Sequence, residues 1–492
     1  MSCSRRKFLE KGAGAAFLST LMPVTLLEAC HPQASTREAA GIAGDSLLVA
    51  EDVPADIKIH ISGVLAEVTD KQVFSTTGYN GQVPGPVIRL KEGKPVTVAL
   101  TNDTDIPEFA HWHGQILPAA VDGAPEEMSF VVPPHGALRY RFTPGPPGSR
   151  WLHSHVMAGS DLCRGTYTGE FAFVYIEPKE NPGDYDNEFF LTTHGWGPYF
   201  NHEEMPGLAG VKDEDDEAEK DDDESKKGWE VGYTALSING KALGHGEPLR
   251  VREGQKILFH FLNANANDNT QLSLPGHQFK VIALDGNPVP NPRMVETLWL
   301  GVAERIDAVV EMNHPGIWIL ASPLDAFRNK GLGIIVEYAG RRGSPVWRRP
   351  RDLSWDYTRF GRDGGVPAPD QVIPMVFTKT NAAKNGFNLW SINGKPFDPK
   401  EDPQRLEKGK SYRLVFENRS DDWHPVHLHR NTFELTKVYD KSTSGVFKDV
   451  VLVKPDGKIE VDFTTNHPGL TLFHCHQQLH MDFGFMKLFD VV

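Results

Sequence analysis

The chain is poor in cysteine for its length. Its 492 residues include only four cysteines, Cys3, Cys30, Cys163 and Cys475. A fold held together by disulfides is excluded, because such scaffolds need a dense set of paired cysteines. No structural disulfide pair is evident, and we expect Cys163 to be a small buried side chain.

Basic residues are also in short supply. Lysine and arginine together number 51 against 65 aspartate and glutamate residues, which gives a formal net charge of −14. Nucleic-acid binding relies on a surplus of basic side chains, so no nucleic-acid partner is expected. Much of the acidic excess lies in residues 213–227. Such a block predicts a solvated, disordered loop, and the collection of cations near an oxidation site is the alternative.

The chain lacks an apolar run long enough for a committed membrane span. Its N-terminus instead carries Arg5-Arg6 before a short run that is rich in alanine and glycine. Residues 1–30 are therefore predicted to be a twin-arginine signal peptide, which indicates bacterial export by the twin-arginine machinery to the periplasm. Leu27-Glu28-Ala29-Cys30 resembles a lipoprotein processing site, so a lipid anchor at Cys30 and simple cleavage nearby both stay open. Residues 31–50 are predicted to be a flexible polar tether.

Histidine, by contrast, is concentrated in four short clusters near the two ends of the chain. The clusters are His111-Trp112-His113-Gly114, His153-Ser154-His155, His424-Pro425-Val426-His427-Leu428-His429 and His474-Cys475-His476-Gln477-Gln478-Leu479-His480. Lone histidines are common without any ligand, but four such clusters in one chain favour a metal centre. Imidazole and thiolate suit copper, and two histidines with one cysteine are the signature of a blue-copper site.

The spacing within each cluster predicts two separate metal sites. Residues i and i+2 of a β-strand point to one face and residue i+1 points to the other. His474 and His476 should therefore face one way and Cys475 the other. We predict a mononuclear site formed by His424, Cys475 and His480, and a multinuclear site formed by the other eight histidines.

Three segments repeat one pattern, which predicts duplicated β-domains. Asn80-Gly81, Asn239-Gly240 and Asn393-Gly394 each form a turn signal before a strand. Each is followed by an alternating run that ends in asparagine, at 96–102, 257–263 and 412–418. The abundance of glycine and proline also fits β-sandwiches. The predicted domains are 51–180, 186–340 and 371–492, with an interdomain strap at 341–370. The histidine clusters fall in the first and third domains, so the multinuclear site should lie between these two.

The four clusters, in this order and with these spacings, resemble the motifs of three-domain multicopper oxidases of the laccase type, and the similarity runs from about Asp56 to the C-terminus. The resemblance implies an all-β fold of three consecutive cupredoxin-like Greek-key β-sandwich domains. It also implies about four copper ions per chain. By motif, the type 1 copper falls to His424, Cys475 and His480, the type 2 copper to His111 and His427, and the paired type 3 coppers to His113, His153, His155, His429, His474 and His476.

The family resemblance further implies the reaction. A reducing substrate gives single electrons to the type 1 copper through a partly exposed histidine, electrons pass along Cys475 to His474 and His476, and O2 is reduced to water. Phenols or aromatic amines are the favoured substrates, and manganese, iron or cuprous ions are the alternative. A non-catalytic scaffold of the cell envelope is disfavoured because every ligand is retained. Three domains suffice to build every site, so a monomer is the simplest expectation.

Asp122 matches an acidic residue of the family and is predicted to orient a histidine and to relay protons; a turn-forming Asp-Gly pair is the alternative. The chain departs from the family at two other positions. The axial position of the type 1 site is Phe485, which should raise the redox potential, with Met481 or Met486 as alternative ligands. Many bacterial members carry glutamate directly after the last histidine of the fourth motif, where this chain has Met481. Asp482 follows it, and strand alternation would point Asp482 the other way.

Overall fold

The computed structural model describes residues 47–180, 183–202 and 227–492. The predicted signal peptide, residues 31–46 of the predicted tether and residues 213–226 of the acidic segment lie outside these residues. Within the described ranges, no helix has the length and apolarity that crossing a bilayer would require.

The first eight strands form two four-stranded sheets, ordered β2-β1-β4-β6 and β3-β8-β7-β5. Their bounds are β1 (Ile57–Glu67), β2 (Val73–Tyr79), β3 (Gly85–Lys91), β4 (Val96–Asn102), β5 (Ala110–His113), β6 (Gly136–Phe142), β7 (Gly148–Ser154) and β8 (Phe171–Glu177). A short helix, α1 (Ala119–Asp122), follows β5. Alternate apolar residues of both sheets, among them Val98, Leu152 and Val174, meet in one buried core, as the two-residue period of a strand requires.

The next eleven strands form a six-stranded sheet, β10-β9-β12-β17-β14-β15, and a five-stranded sheet, β11-β19-β18-β13-β16. Their bounds are β9 (Asn187–Asn201), β10 (Glu230–Ile238), β11 (Leu249–Val251), β12 (Lys256–Asn263), β13 (Thr270–Ser273), β14 (Phe279–Leu284), β15 (Asn287–Val295), β16 (Thr297–Leu300), β17 (Arg305–Glu311), β18 (Ile317–Ala321) and β19 (Gly333–Tyr338). Helix α2 (Asp325–Asn329) joins β18 to β19.

The last eleven strands repeat this arrangement, with a six-stranded sheet β21-β20-β23-β28-β25-β26 and a five-stranded sheet β22-β30-β29-β24-β27. Their bounds are β20 (Gln371–Lys384), β21 (Phe387–Ile392), β22 (Gln404–Leu406), β23 (Ser411–Asn418), β24 (His424–Leu428), β25 (Phe433–Val438), β26 (Lys441–Lys448), β27 (Val450–Val453), β28 (Lys458–Thr464), β29 (Gly469–Cys475) and β30 (Met486–Val491). Helix α3 (Gln478–Asp482) lies between β29 and β30. The all-β prediction is confirmed.

The repeated Asn-Gly turns have the same structure in all three pairs of sheets. Asn80, Asn239 and Asn393 all have positive φ angles, of 55°, 51° and 55°, as a tight hairpin turn of this kind requires. The Asn393 side chain accepts a hydrogen bond from the amide of Val376 and donates one to the carbonyl of Pro374, both at 2.8 Å. The other two asparagines bind the corresponding strands β1 and β9 in the same way.

Two expectations from the sequence were wrong. The predicted tether does not extend to residue 50, because Val49 donates to the carbonyl of Arg139 at 3.0 Å and Arg141 donates to that of Leu47 at 2.8 Å. These residues therefore pair with β6. Cys163 lies in the loop between β7 and β8, where its side chain is exposed rather than buried.

Residues 341–370 pass along both the second and the third pair of sheets. Trp299 donates its indole N–H to the carbonyl of Leu353 at 2.8 Å, and the Tyr357 hydroxyl donates to Glu304 at 2.6 Å. Further on, Arg362 pairs with Ser444 of β26. These contacts fix the segment against both sandwiches.

Candidate metal centre

Strands β24 and β29 bring the cysteine to the first histidine of the third cluster. They pair antiparallel with Val426 opposite Cys475, and helix α3 then returns His480 to the same place. The Cys475 Sγ lies 3.6 Å from His424 Nδ1 and 3.7 Å from His480 Nδ1, and the two nitrogens are 3.3 Å apart. An ion within a triangle of this size lies about 2 Å from each atom, which is a normal bond length from imidazole or thiolate to a first-row metal.

The other eight histidines gather where the first and third pairs of sheets meet. His111 lies opposite His153 across β5 and β7, and His427 lies opposite His474 across β24 and β29. Ring nitrogens within 4.8 Å of one another define three groups: His111, His113 and His427; His113, His153 and His476; and His155, His429 and His474. Cys475 falls in the mononuclear group while its two neighbours fall in these groups, so the alternation that the sequence predicts is present.

Hydrogen bonding leaves the inward ring nitrogens of this cluster free to bind a metal. His111 donates through Nδ1 to the carbonyl of Asp122 at 2.9 Å, and His427 donates through Nδ1 to the carbonyl of Asp449 at 2.7 Å. The Nε2 atoms of both rings are buried and have no hydrogen-bond partner. A fixed acceptor on one nitrogen and an unpaired second nitrogen are typical of metal-binding histidine.

Electrostatics also favour a bound cation. Burial is the largest cause that lowers the pKa of nine cluster histidines, so these rings are neutral and can donate a lone pair; they are His113, His153, His155, His424, His427, His429, His474, His476 and His480. Burial raises the pKa of the Cys475 thiol. A thiolate at this position therefore needs a metal ion beside it.

Asp122 lies directly behind the cluster. Its Oδ2 atom accepts from His429 Nδ1 at 2.9 Å and lies 3.1 Å from His111 Nδ1. Glu127, which the sequence did not reveal, accepts from the amide of Leu472 at 2.7 Å and lies 3.6 Å from His429 Nδ1. Burial, followed by the charge of Asp122, raises the pKa of Glu127. The first pair of sheets thus supplies two carboxyl groups to a histidine of the third.

Phe485 lies against the mononuclear group, and the two methionines of this region pack elsewhere. The Phe485 ring centroid is 4.8 Å from that of His424, and the Phe485 carbonyl accepts from the amide of Cys475 at 3.1 Å. Met481 and Met486 instead form a small core cluster with Leu472. This packing favours Phe485 over either methionine as the axial neighbour.

Neither histidine of the mononuclear group is partly exposed, so that expectation was wrong. His424 is 0% and His480 is 1% exposed. His424 Nε2 is hydrogen-bonded to the Ser420 hydroxyl at 2.7 Å, whereas His480 Nε2 points toward Glu230 Oε2 at 3.9 Å. The Trp390 ring also covers His480 at 4.0 Å between centroids. Side chains from β10 and β21 thus shield this ring, and sequence spacing could not show that they would.

Residues 478–482 form helix α3 rather than a strand, so the strand alternation expected at Asp482 does not apply. Its carboxylate accepts from the amides of Ala158 and Gly159 at 2.9 and 2.7 Å and from Gln478 at 2.9 Å. Burial raises the pKa of Asp482 to about 7. Asp482 therefore ties α3 to the loop that follows His155.

Models of multicopper oxidase domains match this chain at residues 60–181, 212–338 and 367–492. These matches cover most of its length, and the chain belongs to the multicopper oxidase family. It is similar to multicopper oxidase MmcO of Mycobacterium tuberculosis, with 28% identity over 520 residues that cover 99% of this chain and 97% of that protein.

Two solved structures share the fold at low identity. A multi-copper oxidase from Pseudomonas thermotolerans has a TM-score of 0.66 and 24% identity and covers 89% of this chain and 100% of its own. Fet3p, a multicopper oxidase that functions in iron import, has a TM-score of 0.72 and 19% identity over 88% of this chain and 90% of its own. As a member of the multicopper oxidase family, the protein is an oxidoreductase that uses O2 and copper.

Proposed function

We propose that the protein couples one-electron oxidation of phenols or aromatic amines to the four-electron reduction of O2 to water. When bound, the type 1 copper supplies an electron acceptor and the trinuclear cluster supplies the site of O2 reduction. The observation that carries the proposal is the strand end at residues 474–476. Its cysteine belongs to the three-residue group, and the histidines on either side belong to the eight-histidine cluster.

The groups of ring nitrogens support the ligand assignment that the family motifs imply. We assign the type 1 copper to His424, Cys475 and His480 and the type 2 copper to His111 and His427. The type 3 pair falls to two groups of three, His113, His153 and His476 on one side and His155, His429 and His474 on the other. Each group is buried and has its ligand atoms within 4.8 Å of one another.

The chain itself provides the electron path between the two sites. Cys475 is covalently joined to both His474 and His476. His474 also donates through Nδ1 to the carbonyl of Cys475 at 2.8 Å, which adds a hydrogen-bonded shortcut to the covalent route. Serine, asparagine or another residue without a thiolate at 475 would keep the backbone and lose the first atom of this path.

Asp122 is proposed to hold the ring of His429 and to supply a proton acceptor beside the cluster. Its Oδ2 atom accepts from His429 Nδ1 and its backbone carbonyl accepts from His111 Nδ1, so this one residue fixes two rings. Glu127 lies close enough to share a proton with Asp122, and burial raises the pKa of Glu127. The pair gives the reaction a buried proton store next to the rings that face O2.

The nature of the substrate depends on the surroundings of His480. Its Nε2 atom faces Glu230, which accepts from Asn388 at 2.8 Å. A carboxylate at this point can accept a hydrogen bond from a phenol or an aromatic amine, which supports the proposed substrates. It also favours a cation, so oxidation of manganese, iron or cuprous ions is the second candidate, and Fet3p provides a relative with a role in iron import.

A substrate panel with Glu230→Gln separates the two candidates. For neutral phenols, glutamine keeps a hydrogen-bond acceptor, and we expect KM to change by less than about threefold, as for one neutral hydrogen bond of modest strength. For Mn(II), Fe(II) or Cu(I), loss of the negative charge should raise KM by about tenfold or more. Steady-state oxygen consumption with each donor measures both. Wild-type activity confined to a metal ion would overturn the preference for phenols.

The type 1 potential should be high because Phe485 supplies no axial ligand. A weaker ligand set destabilises Cu(II) relative to Cu(I), which raises the potential. We expect Phe485→Met to lower it, and a redox titration followed through the blue band measures the shift. Phe360→Met, a buried phenylalanine of the strap, is the matched control and should leave the potential unchanged. A wild-type value in the low range of methionine-ligated sites, or no change in Phe485→Met, would contradict the axial assignment.

We infer that residues 1–30 direct export to the periplasm through the twin-arginine machinery and that the mature protein is a monomer. Support for export comes from the Arg5-Arg6 pair and the short apolar run that follows it. Mass spectrometry of the mature N-terminus distinguishes a lipid anchor at Cys30 from simple cleavage nearby.

A further inference from the structure

The proposed copper ligands come from the first and third pairs of sheets. We propose that the second pair also helps to position one of them, because its Arg305 binds Asp449 of the third pair. In this view Arg305 holds the Asp449 carboxylate, and Asp449 sets the orientation and tautomer of His113. The inference rests on the proposed role of His113 as a type 3 ligand. It adds two positioning residues that act through His113 and His427.

Asp449 contacts two rings of the cluster at once. Its Oδ1 atom accepts from His113 Nε2 at 3.1 Å, and its backbone carbonyl accepts from His427 Nδ1 at 2.7 Å. The bond to Nε2 leaves His113 Nδ1 unprotonated, and that atom lies 3.4 Å from His153 Nε2. His113 therefore directs Nδ1 into the cluster. His111 and His427 differ, because their Nδ1 atoms are hydrogen-bonded and their Nε2 atoms are the free ones.

Arg305 uses all five of its side-chain N–H groups, which fixes the carboxylate in one plane. Nη1 and Nη2 donate to Oδ1 and Oδ2 of Asp449 at 2.7 and 2.6 Å. The other donors reach the carbonyls of Ala303 at 2.9 Å, Ser149 at 3.2 Å and Asp285 at 3.3 Å. Arg305 and Asp449 are both fully buried. A bidentate guanidinium pair of this kind adds geometric specificity as well as energy.

Gly114 supports the proposal independently, because its lack of a side chain leaves room for the Arg305–Asp449 ion pair. A Cβ atom at residue 114 would lie 2.7 Å from Arg305 Nη2 and 2.8 Å from Asp449 Oδ2. The glycine also has φ of +82°, which other residues rarely adopt. The glycine of the first histidine motif is thus explained by the packing of the pair against the backbone next to His113.

The pair joins all three sandwiches beside the cluster. His113 comes from the end of β5, Arg305 from the start of β17, and Asp449 from the link between β26 and β27. Asp285 extends the link, because its Oδ2 atom accepts from the amides of Asp449 and Val450 at 3.2 and 3.1 Å. Small displacements between the sandwiches would therefore reach His113 directly.

Arg305→Met and Asp449→Asn test the proposal in the full-length holoprotein. Loss of an outer partner of a metal ligand costs about 10–100-fold in metal affinity or activity, so we expect copper to leave the trinuclear site at correspondingly lower chelator concentrations. The near-ultraviolet band of the type 3 pair should weaken and the type 2 EPR signal should change. The blue band and type 1 potential should stay as in the wild type, because neither residue contacts His424, Cys475 or His480. Arg305→Lys keeps the charge but loses the bidentate guanidinium. Its copper retention and type 3 band should be intermediate between those of the wild type and Arg305→Met.

Lys448→Met is the matched control for loss of a buried interdomain cation. Lys448 Nζ lies 2.9 Å from Asp285 and 3.0 Å from Glu304 and does not touch the histidines. The Lys448→Met substitution should lower thermal stability without changing the type 3 band. If Arg305→Met keeps the wild-type band and copper retention, or changes the type 1 band equally, the positioning role is wrong.

The tautomer of His113 in copper-free protein supplies a readout that does not depend on loading. Long-range proton–nitrogen NMR of histidine-labelled protein should show the proton of His113 on Nε2 in the wild type and a shift toward Nδ1 in Asp449→Asn. An Nδ1–H tautomer in the wild type would overturn the proposal. A wild-type protein that never develops a type 3 band would contradict the proposed function, and the NMR result would still decide the positioning role.

Discussion

Replacement of Cys475 with serine is expected to remove the blue absorption band and to reduce turnover to the background of the assay. Serine cannot supply a thiolate, so the triangle with His424 and His480 loses its sulfur and the electron path loses its first atom. Absorption spectra, copper content and oxygen consumption on one preparation measure the three effects. We expect the near-ultraviolet band of the type 3 pair to persist, because the backbone that carries His474 and His476 is unchanged.

Cys163→Ser is the matched control, since it makes the same substitution in an exposed loop. Cys163→Ser should keep both the blue band and turnover. Turnover that survives in Cys475→Ser would mean that electrons enter the trinuclear cluster by another route. That result would remove the main support for the proposed function.

Asp122→Asn should lower kcat by about 10–100-fold, the usual cost of removing an outer partner of a metal ligand. Asparagine matches the shape of aspartate but carries no charge, so it holds His429 less firmly and cannot take up a proton. Reduction of the type 1 copper without oxygen should keep its wild-type rate in stopped-flow measurements, because that site is separate. The defect should appear in the reoxidation of the reduced enzyme by O2.

Asp268→Asn is a suitable control, because Asp268 is a buried aspartate of the second sandwich, 8% exposed. It should leave reoxidation by O2 unchanged. If Asp122→Asn also reoxidises at the wild-type rate, Asp122 serves only the turn before Gly123. If the type 1 reduction slows as well, the substitution has disturbed more than the ring of His429.

The copper groups follow from the sequence because their geometry is local. The two-residue period of a strand places His474 and His476 on one face and Cys475 on the other, whatever surrounds them. The three Asn-Gly turns are equally local, since their positive φ angles depend on two adjacent residues. Such features need no knowledge of the tertiary fold.

The residues that support these groups could not be found in this way. Asp449 meets His113 across 336 positions of sequence and Arg305 meets Asp449 across 144, and a single aspartate or arginine carries no local signal. Asp482 shows the limit of extending a local rule, because the chain leaves the strand after Cys475 and turns into helix α3. The burial of His480 likewise depends on Trp390 and Glu230 from distant strands.

The asparagine that ends each alternating run holds the turn that follows it. Asn102, Asn263 and Asn418 donate to a carbonyl four or five residues ahead and accept the amide two residues on, from Thr104, Asn265 and Ser420. In the third of these turns the Ser420 hydroxyl is also hydrogen-bonded to the imidazole of His424. The second sandwich has the same turn without any of the proposed copper ligands on it, so we expect the turn to form without an ion. We therefore expect His424 to be held in place in the apoprotein, whereas the eight-ring site exists only where the first and third pairs of sheets meet.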